Sequence, residues 1–206
     1  MLRQFRPAIV LLILFSALTG LVYPLAITGV AQAVMPRQAN GSLVGKAGAP
    51  VGSSLIGQNF ASDRYFHGRP SATQAQDPAH PDDSSKTIDA PYNADNSTGS
   101  NLGPTSQKLV DRVKSDVDAK RAAGWATPIP ADAVTTSASG LDPEISPATA
   151  FAQVTAVAKA RGLPEEKVRA MVAAHVKDRA LGLIGEPRVN VLRLNLALDA
   201  LGQAGS

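Results

Sequence analysis

The chain has 206 residues, no cysteine and a formal net charge of +3. Without thiols there can be no disulfide, thiolate nucleophile, iron–sulfur cluster or thiolate zinc site. The charge is spread without a Lys/Arg block, and five Phe, three Tyr and one Trp are too few for base-stacking platforms, so no nucleic-acid partner is expected.

The first element is a run of thirty uncharged residues, Pro7 to Pro36, held between Arg6 and Arg37. A bilayer-spanning helix needs about 20 apolar residues and a cleavable signal core only roughly 7 to 15, so the run predicts a transmembrane anchor. Its strongly apolar side chains supply on the order of −4 to −8 kcal/mol of insertion free energy as an upper bound, with no buried charge opposing it. The alternative is cleavage at the small-x-small string Ala31-Gln32-Ala33, which would release a soluble, secreted binding module. Arg3 and Arg6 with the terminal amine, set against Arg37 and Lys46, slightly favour a cytoplasmic N-terminus and an extracytoplasmic domain. Pro24 removes the hydrogen bond to the carbonyl of Gly20, so a bend is expected there. Ser16, Gly20, Pro24 and Thr28 recur every four residues, a face of small or weakly polar residues against which a partner helix can pack closely.

Residues 37–206 read as one extramembrane domain, strands first and helices later. The fold class is therefore α+β: one N-terminal transmembrane helix, then a domain with a small sheet and about four helices. Short apolar runs at 42–46 and 51–60, punctuated by glycines, predict a small hairpin or two edge strands. From His67 to Gly103 the chain is rich in Pro, Ser, Asn and Asp, which predicts a surface excursion, with 73–96 as an irregular loop and His67 and His80 in solvent. Leu109, Val110, Val113 and Val117 recur at helical spacing, and this helix should end near Gly124. Val134-Thr135-Thr136 predicts a short strand. Ser146-Pro147 opens a helix that stops at Gly162, and Pro164-Glu165-Glu166 opens another with Val168, Met171, Val172 and His175 on its inner face. A last helix, capped by Asn190 after a brief pairing at Val189, turns Val191, Leu194, Leu198 and Leu201 inward.

Catalytic patterns are missing. Gly45-Lys46-Ala47-Gly48 has neither the spacing nor the hydroxyl of a phosphate-binding loop, and the Asp-Lys-Thr-Gly-Thr string of phosphorylated pumps is absent. Gly99-Ser100-Asn101-Leu102-Gly103 carries Asn where a nucleophile elbow needs Ser. The three histidines follow no metal-ligand spacing, so no metal is expected. A membrane-anchored hydrolase would need a nucleophile and base that the sequence does not display.

Five separated strings carry a resemblance: Ile56-Gly57-Gln58-Asn59-Phe60, Tyr65 through Ala72, Gly99 through Pro104, Ser139 through Pro143, and Gly185 through Asn190. In this order after an N-terminal anchor, they resemble the C subunit of the Kdp-type potassium-transporting ATPase. The resemblance implies a non-catalytic accessory subunit that binds no cofactor alone. Its partners would be a channel-like potassium-selective subunit, a P-type ATP-hydrolysing subunit and a small membrane peptide, with membrane lipid around the anchor. Potassium would be the transported substrate and ATP would bind the hydrolysing subunit, whose ATP affinity the C subunit would raise as a catalytic chaperone while stabilising assembly. The nucleotide-linked glutamine of that family falls on Gln153, which the residue pattern alone reads as a solvated or capping polar residue on an amphipathic helix. A domain outside the membrane cannot touch cytoplasmic ATP, so the expected route is indirect, through packing along Ser16 to Thr28. Arg69, Pro70, Asn101, Leu102, Gly103, Leu141, Asp142 and Pro143 are candidate partner-contact residues, read either as loops docking on the channel-like subunit or as obligatory turns. Residues 73–96 depart from the family spacing.

Overall fold

A computed structural model describes residues 2–46 and 48–203. The chain divides into two compact units, Met1–Ser53 and Ser54–Ser206, so the hairpin expected within 37–206 groups with the helix before it.

The first unit is dominated by a continuous helix over Phe5–Val34, with none of its most apolar window buried. Two α-helical pieces, α1 (Phe5–Ala17) and α2 (Tyr23–Val34), flank a π-helical turn at Leu18–Val22. The π turn ends two residues before Pro24. A proline removes one N–H from the ladder and crowds the carbonyl four residues earlier, and a wider turn makes room for both. The Thr19 hydroxyl bonds back to the Phe15 carbonyl at 2.7 Å, satisfying an acceptor beside this disturbance. The short helix α3 (Pro36–Ala39) leads into a hairpin of β1 (Leu43–Lys46) and β2 (Ala49–Ser53), antiparallel with an irregularity between Val44 and Gly45.

In the second unit, the stretch expected to be irregular contains an antiparallel pair, β3 (Gln74–Gln76) and β4 (Thr87–Asp89), in which Ala75 faces Ile88. Its side chains are mostly polar and exposed, so no alternating apolar pattern announced it. Helix α4 (Gln107–Ala122) follows, with no residue fully buried. The Val134–Thr136 strand does not form. A 3₁₀ turn at Ala131–Ala133 takes its place and buries Val134, because Asp132 is bound to the next helix start.

That helix is α5 (Pro147–Arg161), whose Ser146 hydroxyl accepts the Thr149 N–H at 3.1 Å. Asp132 accepts the Ser146 N–H at 2.7 Å, the Ser146 hydroxyl at 2.8 Å and the Thr149 hydroxyl at 2.6 Å, placing a carboxylate at the positive end of the helix. Gly162, at φ +65°, ends α5, and Leu163 N–H returns to the Ala158 carbonyl at 3.0 Å, a Schellman closure that needs a left-handed residue. Helix α6 (Glu165–His175) begins two residues past Leu163. In α7 (Val191–Gln203), the Asn190 carboxamide oxygen accepts the Arg193 N–H at 3.1 Å.

Helices α5, α6 and α7 pack with a three-stranded antiparallel sheet in the order β5 (Glu144–Ile145), β7 (Arg188–Asn190), β6 (Val176–Lys177). Ile145 and Val176 both sit opposite Val189. The core joins Phe66, Ile145, Val154, Val157, Val168, Val172, Val189, Leu194 and Leu198. Phe66 is the one member from outside the sheet and helices. It is 0% exposed, so an extended chain segment is fastened directly to the core.

Candidate functional site

The fastening begins with two side-chain amides. Asn195 on α7 accepts the Phe66 N–H at 2.9 Å and donates to the Phe66 carbonyl at 2.9 Å. Gln153 on α5 accepts the His67 N–H at 2.8 Å and donates to the His67 carbonyl at 3.1 Å. Each amide thus presents to one residue the donor–acceptor pair a neighbouring strand would supply. Gln153 is 5% exposed, so it is neither solvated nor a cap. The sequence pattern missed this because its partner lies 86 residues away.

The next residues are held as closely. The Tyr92 hydroxyl donates to the Arg69 carbonyl at 2.8 Å, and Ser137 N–H donates to the Pro70 carbonyl at 3.4 Å. Arg69 pairs with Asp142 at 2.9 Å and also reaches the carbonyls of Thr135 and Thr136. The Ser71 hydroxyl donates to the Gly140 carbonyl at 2.8 Å. Burial raises the Tyr92 pKa to about 12, with Asp142 adding to the effect and Arg69 opposing it, so Tyr92 remains a hydrogen-bond donor at any physiological pH.

Four of the five strings therefore meet at one junction. Gly57 N–H bonds the Leu141 carbonyl at 2.8 Å, Val191 N–H bonds the Pro143 carbonyl at 3.0 Å, and the Asn190 amide bonds the Ser54 carbonyl at 3.0 Å. A Cβ on Gly57 or Gly68 would run into the Tyr92 side chain. Gly99 through Pro104 touches the junction at its first residues only: a Cβ on Gly99 would strike Ala138, and the Thr136 hydroxyl reaches that of Ser100 at 3.3 Å. Of the candidate contact residues, Leu141 is buried, Arg69, Pro70, Leu102, Asp142 and Pro143 are half-buried, and Asn101 and Gly103 are exposed. Ser16, Gly20, Pro24 and Thr28 are exposed on the long helix, and a Cβ at Gly20 would meet nothing within 4 Å.

The His67 segment forms the common wall of two clefts. One, of about 650 Å³, lies between the end of α4 and α5 and includes Tyr65, Lys120, Trp125, Gln153 and Lys159. The other, of about 440 Å³, extends past Phe60, Arg69 and Tyr92. Lys120 Nζ sits 4.7 Å from the centre of the Trp125 ring, and burial lowers its pKa against the pull of Asp116. His67 is half-buried rather than solvated. Burial holds its imidazole below the ordinary 6.5, Lys120 adds to the shift and Asp63 opposes it. His80 is exposed beside Asp77. Among the described residues no group of three or more His, Asp or Glu is placed to hold a metal.

One surface had no signal in the residue pattern. Between β6 and β7, Ala180 and Ile184 exchange backbone hydrogen bonds of 2.8 and 2.9 Å. They hold Leu181, Leu183 and Ile184 outward at 90%, 82% and 65% exposure. Leu181 has φ +54°, a left-handed conformation that costs a non-glycine residue of order 1 kcal/mol.

A long apolar helix joined to a small α+β body is the architecture of a single-anchor membrane subunit. Residues 5–200 match the family model described as KdpC: K+-transporting ATPase, c chain. The chain belongs to this family. It is 62% identical over 199 residues to the potassium-transporting ATPase KdpC subunit of Bradyrhizobium diazoefficiens, covering 97% of this chain and 98% of that one. It is also 62% identical to the subunits of the same name from Rhodopseudomonas palustris strain BisB18, with 97% and 99% covered, and Methylobacterium nodulans, with 98% of each covered.

Arg69→Ala is expected to destabilise the full chain by about 1–2 kcal/mol, a charge-assisted bond discounted for partial exposure. Denaturant melts in detergent check this, and an unchanged midpoint would leave Arg69 free to act as a docking residue alone. His67 makes a second prediction. Because its folded pKa lies below the unfolded value, the unfolded chain binds the proton first as pH falls through 6.5, and stability is lost on acidification. Melting temperature should fall more for the natural chain than for His67→Gln between about pH 7.5 and about pH 5.5; equal losses would refute the assignment.

Proposed function

We propose that this chain is the non-catalytic accessory subunit of an ATP-driven potassium-uptake complex. In this reading it stabilises assembly and, as a catalytic chaperone, raises the ATP affinity of the hydrolysing subunit without contacting the nucleotide. The observation that carries the reading is the family match across residues 5–200, which takes in the apolar helix and the whole junction. The partners are a channel-like potassium-selective subunit, a P-type ATP-hydrolysing subunit and a small membrane peptide. The anchor crosses a bacterial inner membrane with its N-terminus in the cytoplasm, and the body lies outside.

In this reading the open space beside Gly20 receives a partner helix. A four-residue step overshoots one turn of a 3.6-residue helix, and the wider π turn takes up part of that overshoot. Ser16, Gly20 and Pro24 therefore line up more nearly along the axis than in an unbroken α-helix. The exposed residues Asn101 and Gly103, and the tip at Leu181, Leu183 and Ile184, are the surfaces of the body best placed to dock. Arg69, Pro70, Leu141, Asp142 and Pro143 hold the junction together instead.

The test is the complex purified in mild detergent with this chain, without it, and with Gly20→Leu. Omission is expected to raise the KM for ATP by about tenfold, the scale of a 1.4 kcal/mol coupling. Gly20→Leu should reduce recovery of the chain with its partners, and full recovery would remove the helix face from the proposal. Orientation has its own measurement. A periplasm-dependent phosphatase fused after Ser206 should be active, while activity of a reporter confined to the cytoplasm would reverse the topology.

A further inference from the structure

We propose that the two clefts flanking His67 form one docking groove for an acidic segment of a partner protein, whose carboxylate seats between Lys120 and the His67 imidazole. The proposal deepens the reading that the body docks on the other subunits of the complex, and rests on it. The clefts share His67, Lys120, Ala123 and Trp125, so they make one trough with a cationic middle. Toward α5 the trough is lined by Tyr65 and Lys159, and toward the junction by Phe60 and Tyr92. Both halves are open to solvent. That shape suits an extended chain lying across it better than a small molecule, most of whose surface a dedicated pocket encloses.

Lys120 gives the groove its preference for an anion. Its ammonium has three donors and lies 4.7 Å from the centre of the Trp125 ring, yet among the described residues it has no hydrogen-bond acceptor and no ion pair. The carboxylates on its own helix are engaged, since Asp116 holds Arg112 at 3.2 Å and Asp118 holds Arg121 at 3.5 Å. Partly buried arginines elsewhere in the unit are matched, as Arg69 is by Asp142 and Arg161 by Asp199. Beside Lys120, the His67 imidazole also bonds nothing among the described residues. Burial lowers the pKa of both groups, and Lys120 adds to the shift at His67, as expected of cationic groups without an anion. Asp63 at the α5 end opposes this only at His67, and Lys159 adds a second cation there. An entering carboxylate would accept from Lys120 Nζ and from one imidazole N–H. The rings of Phe60, Tyr65 and Trp125 offer a surface to its apolar neighbours. Gln153 already holds the His67 backbone in place, so little ordering opposes binding. The fitting partner segment carries an Asp or Glu next to an apolar or aromatic side chain.

The experiment titrates the full chain, in mild detergent, against the partner subunits purified without it. Lys120→Met keeps the apolar stem and removes the charge, and its Kd is expected to rise about tenfold, the scale of one charge-assisted bond. Lys120→Glu should weaken binding further, while Lys120→Arg should stay within about threefold of the natural chain. Raising salt from about 0.05 M to about 0.5 M should weaken the natural chain more than Lys120→Met. Because Lys120 has no anion in the free chain, Lys120→Met should not lower its melting temperature. If it does, Lys159→Glu at the exposed end of the groove carries the test, with an expected loss of about threefold. Natural affinity in both Lys120→Met and Lys159→Glu overturns the groove. So does protection of the free chain by citrate that is lost in Lys120→Met while partner binding is kept, which makes the trough a small-anion site. A natural chain that does not bind the partner subunits at all refutes the docking reading, and the groove with it, so the two failures are told apart.

Discussion

The second unit depends on one constraint: an extended chain enters the core at Phe66 without a neighbouring strand to satisfy its backbone. A buried peptide group without a partner costs about 1–3 kcal/mol, so several in a row would exceed the stability of an ordinary domain. The protein meets this with side chains. Asn195 serves Phe66, Gln153 serves His67, and Tyr92 serves the Arg69 carbonyl. Helices α5 and α7 consequently do two jobs. Their apolar faces build the core around Val154, Val157, Leu194 and Leu198, and one amide on each replaces a strand.

The same constraint ranks the forces at the junction. The Arg69–Asp142 pair has side chains 25% and 28% exposed, where screening and side-chain entropy leave an ion pair worth at most about 1 kcal/mol beyond its hydrogen bonds. Steric demand is stricter. The Tyr92 ring closes against Gly57 and Gly68, and Gly140, at φ +67°, meets Thr73 and the Thr98 carbonyl. A methyl at Gly57 or Gly140 meets backbone as well as side-chain atoms, whereas one at Gly68 meets the Tyr92 side chain alone. Shape therefore decides the path of the chain, and charge adjusts its stability. This explains why the strings that carry the family resemblance are rich in glycine and proline yet form no chemical motif.

What the sequence made legible was what is local. Ser146-Pro147, Gly162 and Asn190 mark helix ends because the groups they satisfy lie within four residues, and the thirty-residue apolar run marks its helix by length alone. The clamp was illegible because Gln153 and His67 are 86 residues apart, and Asn195 and Phe66 are 129 apart. A glutamine on a helix reads as solvated until the chain that crosses it is known. His67 was misread for the same reason, and β3 and β4 escaped because a polar, exposed hairpin has no apolar alternation to display. Lone φ-positive residues such as Leu181 also leave no trace in composition.

On the proposed function and topology, any influence over ATP would cross the bilayer along the anchor, and its energetic scale limits the mechanism. A tenfold change in affinity needs only about 1.4 kcal/mol of difference between two states of the hydrolysing subunit. Interhelical hydrogen bonds in lipid supply roughly that much, at about 0.6 to 2 kcal/mol each. The π turn at Leu18–Val22 sits in the middle of the only apolar helix among the described residues that is long enough to span. Departures of this kind in a helix are tolerated where neighbouring groups can rearrange around them, and they concentrate at functional sites. A rigid straight anchor would transmit position but would have one packing geometry. On the proposed reading, the π turn beside Pro24 is the candidate for the two-state element that such coupling requires. The body holds its Phe66–His67 segment by paired side-chain amides, whereas the long helix departs from regular α-helical bonding at Leu18–Val22, so on this reading the adjustable element is the helix and not the junction.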